Sequence, residues 1–187
     1  MRVIPLVLAL LLLAVPAADA KHKRKHRCAV RDAVVVLHNQ QAVILSAETS
    51  DSVNSDTTYY GCLRSKRKPF QIASEGSDQY ITTSIKLKQL HGVYFSYAES
   101  YGDINHDCHS SVNVVSIRTR ASRSTTPAPT KDCSVPSKLV ATATGSLAWT
   151  VAGEEDRFVR KFDPAGEGTL DQGPGSISPR STSSATS

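Results

Sequence analysis

Ile81-Thr82-Thr83-Ser84-Ile85-Lys86-Leu87-Lys88 alternates without a slip: Ile81, Thr83, Ile85 and Leu87 take one side of an extended chain, and Thr82, Ser84, Lys86 and Lys88 the other. Successive side chains of a strand point to opposite faces, so this period of two predicts a half-buried β-strand. Downstream, His91-Gly92 predicts a turn into a second strand, Val93-Tyr94-Phe95-Ser96-Tyr97-Ala98. A polar loop then runs to Ser110, and Ser111 to Arg118 predicts a third strand. Upstream, Ala33–Leu37 and Ala42–Ala47 are apolar runs separated by His38-Asn39-Gln40-Gln41, which is a hairpin signal. The polar segment Glu48 to Asp56 reads as a loop and Thr57–Leu63 as a strand. Arg64-Ser65-Lys66-Arg67-Lys68-Pro69 reads as a charged turn and Phe70–Ile72 as a short returning strand.

Beyond residue 120, Ala121–Pro136 is rich in Ser, Thr and Pro and contains Cys133, so it predicts an irregular connection. Strands are expected again at Lys138–Thr142, Ser146–Val151, Arg157–Phe162 and Thr169–Asp171, with an acidic turn at Gly153–Asp156. Gly173–Ser187 is Gly/Ser/Pro/Thr-rich and predicts a disordered tail.

The apolar second strand recurs at Ala42–Ala47, Val93–Ala98 and Leu147–Val151, a period of about 50 residues. The expectation is an all-β fold: about three antiparallel, propeller-blade-like meander units in one compact domain spanning 28–172, divided as 28–74, 79–122 and 133–172. Gly92-Val93-Tyr94-Phe95-Ser96-Tyr97 with Val112-Asn113-Val114-Val115-Ser116-Ile117-Arg118 resembles a blade of secreted, uncharacterised actinobacterial propeller-type proteins. Gly145-Ser146-Leu147-Ala148-Trp149 with Val159-Arg160-Lys161-Phe162-Asp163 resembles another. The resemblance covers residues 30–172 and implies a propeller-like repeat, with no activity attached. Three units are too few for a ring of four or more blades, so an open stack, a compact barrel-like sheet or association through strand edges is expected.

The chain has 187 residues, 40% hydrophobic and 21% charged, which excludes wholesale disorder and a multi-span membrane protein. Met1-Arg2, the apolar run Val3–Ala18 and Ala18-Asp19-Ala20 have the layout of a secretory signal peptide over residues 1–20, expected as a cleaved signal helix with an uncleaved anchor as the alternative. The run is broken by Pro5 and Pro16 and falls short of a membrane span, so no transmembrane anchor is expected after cleavage. Four cysteines in an exported chain predict two disulfides; of the three possible connectivities Cys28–Cys62, within the first unit, with Cys108–Cys133 is favoured. The expected location is secreted or cell-envelope associated.

Positive charge is concentrated next to the signal. Of the 22 basic and 17 acidic residues, Arg2 and Asp19 belong to the signal, and Lys21, Lys23, Arg24, Lys25 and Arg27 form a basic tail over 21–27. The remainder from Cys28 onward is neutral, so the sequence assigns the basic character to the tail and not to a face of the fold. That argues against nucleic acid; the tail is expected either to contact an anionic cell-envelope polymer, lipid headgroups or an envelope protein, or to be a solvated terminus.

The densest polar cluster is Asp103-Ile104-Asn105-His106-Asp107-Cys108-His109. Asp103, Asn105 and Asp107 share the alternating spacing of a calcium loop, but Cys108 replaces its glycine and Val114 its bidentate glutamate. Asp103, His106, Asp107 and His109 are therefore weak metal candidates, and an exposed loop beside a disulfide is the plainer reading. Trp149, Phe95 and Tyr97 are expected in the core, and His38 and His91 in solvated turns. No nucleophile-elbow, zinc-protease or phosphate-loop motif occurs, and no catalytic residue or cofactor is expected. The expectation is a non-enzymatic exported binding or structural module. A metal-dependent or hydrolytic enzyme near Asp103–His109 is the competing class, and a protease inhibitor using the Arg64–Lys68 hairpin is a third.

Overall fold

A computed structural model describes residues 28–51, 54–66, 68–105, 108–126, 135–152 and 157–173. The expected signal helix, the basic tail 21–27 and the C-terminal tail lie outside the described residues, apart from Gly173 at the end of the last strand. All regular structure among the described residues is β. The first sheet is an eight-stranded antiparallel meander of β1 (Val34–His38), β2 (Ala42–Ser50), β3 (Ser55–Leu63), β4 (Phe70–Ser77), β5 (Ile81–His91), β6 (Tyr94–Asp103), β7 (Cys108–Ser116) and β8 (Ser122–Thr125). The second is a four-stranded antiparallel meander of β9 (Lys138–Ala141), β10 (Leu147–Ala152), β11 (Arg157–Asp163) and β12 (Gly166–Gly173).

The third expected unit is the second sheet. The first two do not form separate sheets: β4 continues into β5, and residues 34–125 make one sheet. The join is thin, because β4 and β5 pair only at Gly76↔Thr83 and Ser77↔Thr82. It falls at the division expected between 74 and 79. The strands are also longer than their apolar cores suggest. Glu48–Ser50 and Ser55–Asp56 extend the β2/β3 hairpin, where Thr49↔Asp56 and Ser50↔Ser55 continue the ladder. The expected irregular connection yields a strand, β8, because Ser122–Thr125 pairs with Val112–Val115 along a β7 edge that would otherwise bury unpaired amides.

Alternation in β5 holds only to Lys86. Ile85 is buried in the first core, whereas a bulge between Lys86 and Gln89 and a left-handed backbone at Leu87 (φ 52°) shift the phase. Leu87 consequently packs on the second core rather than beside Ile85, and Lys88, expected on the solvent side, turns inward. Ile81 is also more exposed than its period implies, at 39%.

Two cores result. Ala42, Ile44, Tyr59, Leu63, Ile85, Phe95, Tyr97, Val115 and Ile117 pack within the first sheet. Val112 and Val114, on the other face of β7, pack with Leu139, Ala141, Leu147, Trp149 and Val151 of the second sheet. β7 thus buries both faces, which is why Val112–Ser116 is buried without a break. Trp149, Phe95 and Tyr97 are core residues as expected, and His38 and His91 are exposed.

The sheets are also joined by side-chain amide pairing. Gln89 Nε2 donates to Leu139 O, and Gln89 Oε1 accepts from Ala141 N at 3.0 Å, so one side chain satisfies the free edge of β9. Arg123 of β8 donates to Gly145 O at 2.9 Å and lies 5.0 Å from the Phe162 ring centroid. Gly145 is at φ 80°, and a Cβ there would come within 2.7 Å of the Tyr94 ring, so the β9–β10 turn needs glycine.

Candidate functional site

In an antiparallel meander, alternate turns lie at opposite ends of the strands. The β1–β2, β3–β4, β5–β6 and β7–β8 turns of the first sheet therefore share one end. Direct contacts tie them together. Arg64 N donates to Gln41 O at 2.9 Å, Asn39 Nδ2 to Gly92 O at 2.9 Å, and Ile117 N to Val93 O at 2.8 Å. The Arg120 guanidinium lies 5.1 Å from the Phe70 ring centroid at the start of β4.

This end is basic. Arg64, Lys66 and Lys68 of the β3–β4 turn and Arg118 and Arg120 of the β7–β8 turn are all exposed. The four turns contain no Asp or Glu. At the opposite end the β2–β3, β4–β5 and β6–β7 turns carry Asp51, Asp78 and Asp107, flanked by Glu48, Asp56 and Asp103, and contain no Lys or Arg. Asp107 itself is outside the described residues. β3 has nine residues, which separates the two ends by about 30 Å. The charges of the first sheet's turns are thus sorted by end. The sequence-based assignment of basic character to the tail alone is corrected: net charge concealed how the topology sorts it.

Cys28 and Cys62 form a disulfide, as expected from sequence. Cys62 is the penultimate residue of β3, so Cys28, and with it the exit of the basic tail, is held at the basic end. Lys21, Lys23, Arg24, Lys25 and Arg27 themselves lie outside the described residues. Cys108 is also disulfide-bonded; its expected partner Cys133 lies outside the described residues.

The expected metal loop is at the acidic end. Asp103 closes β6, and its carboxylate accepts from Asn105 N at 2.9 Å. His109, near the start of β7, stacks on Tyr101 with ring centroids 6.1 Å apart. His106 and Asp107 lie outside the described residues, and among the described residues no three His, Cys, Asp or Glu side chains converge as a metal site. A shallow groove of about 320 Å³ runs beside Asp103, lined by Tyr80, Ile81, Thr82 and Ile104.

The most concentrated polar chemistry was not visible in the sequence. At the β4/β5 seam Tyr59 donates its hydroxyl to Glu75 Oε1. Lys88 Nζ donates to Tyr59 OH at 2.7 Å, to Ile85 O at 3.0 Å and to Glu75 Oε1 at 3.5 Å. Glu75 Oε2 accepts from Ile85 N at 2.7 Å. The Lys88 ammonium also sits 4.8 Å from the Tyr59 ring centroid. Burial alone would raise the Glu75 carboxyl. The hydrogen bonds from Tyr59 and Ile85 and the Lys88 charge outweigh it and hold the group below its ordinary value. Burial, then the hydrogen bond and charge of Glu75, push the Tyr59 hydroxyl well up. Burial and the nearby Glu99 charge push Tyr97 to about 12.

No family model, curated protein or solved structure matches this chain. What can be said about function comes from the geometry.

Glu75 lies beyond the short returning strand expected at Phe70–Ile72, in the longer strand the structure shows, Tyr59 in an expected strand and Lys88 on an expected solvent face. Only the bulge at Lys86–Gln89 brings the three together. Every polar atom of the cluster faces another member or a backbone group of the seam. It closes the gap where the β4/β5 ladder stops after two pairs. The arrangement is suited to latching a sheet: the glutamate replaces a missing strand partner for Ile85 N, and the lysine neutralises it.

Proposed function

We propose that this protein is an exported, non-enzymatic β-sheet module that works at the cell exterior by binding, and that its basic N-terminal tail holds an anionic polymer of the cell envelope. The observation that carries this reading is the Cys28–Cys62 bridge, which ties Cys28, directly after five clustered cations in sequence, to the end of β3. A disulfide suits an oxidising compartment. Among the described residues no helix is long and apolar enough to cross a membrane. Residues 1–20 supply the export signal in this proposal, the propeller-type resemblance remains part of it, and Cys108–Cys133 is its second bridge.

Self-association through strand edges belongs to the same proposal. β1 is an edge strand whose Val34, Val35 and Val36 are 63%, 56% and 37% exposed. One observation favours the protease-inhibitor reading as a second reading: Arg64, Ser65 and Lys66 are exposed in the turn that directly follows the disulfide-anchored end of β3. The test is capture from the producing cell's envelope by the protein with and without residues 21–27. Retention of an anionic polymer that requires those residues supports the proposal. Equal retention, or none, opposes it. Inhibition of a serine protease that is lost on Arg64→Ala would favour the second reading.

A further inference from the structure

We infer that the protein associates with itself head to tail: the apolar groove between the β4–β5 and β6–β7 turns of one copy takes the exposed Lys and Arg side chains at the opposite end of the first sheet in a second copy. The inference goes beyond the proposed function and stands whether or not the basic tail holds a polymer. Tyr80 and Ile104 are 55% and 60% exposed, and Ile104 N donates to Tyr80 O at 3.1 Å, so the two turns set them together. With Ile81 they line the groove of about 320 Å³, flanked by Asp78 and Asp103. A second hollow of about 280 Å³ adjoins it across Asp78 and Ile81 and continues to Asp56. No basic side chain lines either one. At the other end of the sheet, Lys66, Lys68 and Arg118 are exposed on two turns that Arg120 draws together by packing on Phe70. No carboxylate occurs in any of the four turns there.

The groove is fitted to a long cationic side chain. Lys and Arg carry an apolar stem beneath a charged head. The stem can cover Ile81 and Ile104 while the head reaches the Asp78 or Asp103 carboxylate or the face of the Tyr80 ring. An uncharged apolar partner would instead bury those carboxylates unpaired. Charge complementarity selects a second copy as the occupant, because this chain itself presents the cations that the groove accepts. They stand about 30 Å from the groove on the same molecule, so the two surfaces meet only between molecules. Each copy contributes a different patch, so the contact is heterologous and can extend into an open series. Contact confined to these turns falls short of the ~1,000 Å² that a stable interface buries, so the association is weak and sensitive to salt. Arg64 and Arg120 also have structural duties, on Asn39 O at 2.7 Å and on the Phe70 ring, which leaves Lys66, Lys68 and Arg118 as the cations to test.

The experiment is analytical ultracentrifugation of the full, oxidised protein over a range of concentration and salt, with three variants. Asp78→Asn/Asp103→Asn removes the charge of the groove but keeps an oxygen for the amides of Tyr80, Ile81 and Asn105. Lys66→Gln/Lys68→Gln/Arg118→Gln removes the cations. Ile104→Ser removes part of the apolar wall and leaves every charge in place. The parent should form concentration-dependent dimers and longer series that weaken about ten-fold or more between ~0.01 M and ~0.15 M salt. The aspartate variant and the cation variant should each stay monomeric where the parent associates, and Ile104→Ser should associate about five-fold or more weakly. Mixing the aspartate and cation variants should restore a dimer, one copy of each, that grows no further, because one intact groove then meets one intact pair of turns. Association of either variant alone at the parent's strength would place the contact elsewhere, the β1 edge included, and overturn the inference. So would a mixture that stays monomeric, an Ile104→Ser protein that associates as the parent does, or a parent that is monomeric at low salt. A monomeric parent that binds an oligolysine peptide through Asp78 and Asp103 would give the groove to a different cationic partner and overturn it as well. Unchanged circular dichroism and thermal midpoints show that the variants fold, and the restored mixed dimer shows it independently.

Discussion

Replacing Glu75 by Ala should be among the most destabilising single changes at the surface of this protein. The carboxylate is 23% exposed and accepts from three donors: Tyr59 OH, Ile85 N and Lys88 Nζ. Its removal leaves the Tyr59 hydroxyl, on a residue 3% exposed, without an acceptor. It also leaves the Ile85 amide without its partner at a seam where the ladder has already stopped, and the Lys88 ammonium half-buried opposite no charge. A buried donor left unsatisfied costs about 1–3 kcal/mol, and breaking a fully buried ion pair about 3–5. Partial exposure lets water reach part of the site, so the expected loss is about 3 kcal/mol. Tyr59→Phe leaves the Glu75–Lys88 pair and the Ile85 bond intact and should cost only about 1 kcal/mol. Because both changes remove the Tyr59–Glu75 bond, the double variant should lose less than the sum. Urea denaturation of the four proteins gives the magnitudes, and amide exchange should locate the damage at Ile85 and Thr83. A loss below about 0.5 kcal/mol for Glu75→Ala, or Tyr59→Phe costing as much as Glu75→Ala, would refute the idea that the glutamate latches the seam.

Other consequences follow from single side chains. Gln89→Ala should cost about 2 kcal/mol and raise amide exchange in β9 selectively, because Leu139 O and Ala141 N both lose their partner; uniform exchange across both sheets would contradict this. Ser96 is fully buried with a hydroxyl that has no partner among the described residues, so Ser96→Ala should leave stability unchanged or raise it by about 1 kcal/mol in thermal melts. Cys28→Ser/Cys62→Ser opens a loop with a sequence separation of 34 and should cost about 4 kcal/mol in denaturant titrations. The pH dependence has two limbs. Glu75 is held below its ordinary value when folded, so its contribution is present at neutral pH and is lost as pH falls through its folded value, below 4.5. Tyr97 is raised to about 12 and Tyr59 further, so their contribution is intact below pH 10 and fades as pH rises beyond it. Glu75→Gln should flatten the acid limb and weaken the Tyr59 share of the alkaline limb, leaving the Tyr97 share unchanged.

Local pattern revealed much of this fold because the apolar centres of most strands stand out between polar turns. Ile85, Phe95, Tyr97 and Trp149 were legible as core from their apolar neighbours, and Cys28–Cys62 from its place within one group of strands. What stayed hidden depends on pairing over distance. β8 is Ser-Arg-Ser-Thr, with no apolar pattern; it is a strand because the β7 edge needs a partner. Leu87 and Lys88 continue a perfect alternation in sequence, yet the bulge exchanges their environments. The Tyr59–Glu75–Lys88 cluster joins an expected strand, a residue beyond the end of another expected strand, and an expected solvent face. The charged turn at Arg64–Lys68 was visible as a hairpin tip. Its neighbour at Arg118–Arg120 was visible only as a strand end; strand order puts both at one end of the sheet, and their approach shows only in the packing of Arg120 on Phe70.

That sorting of charge by topology is the claim to test most directly. A spin label on Ser65→Cys, attached with the native disulfides intact, reports which amides lie near the β3–β4 turn. Strong paramagnetic broadening at Gly92, Arg118 and Arg120, with Asp78 and Asp103 sharp, is the predicted result. Broadening at Asp78 and Asp103 equal to that at Arg118 would contradict it.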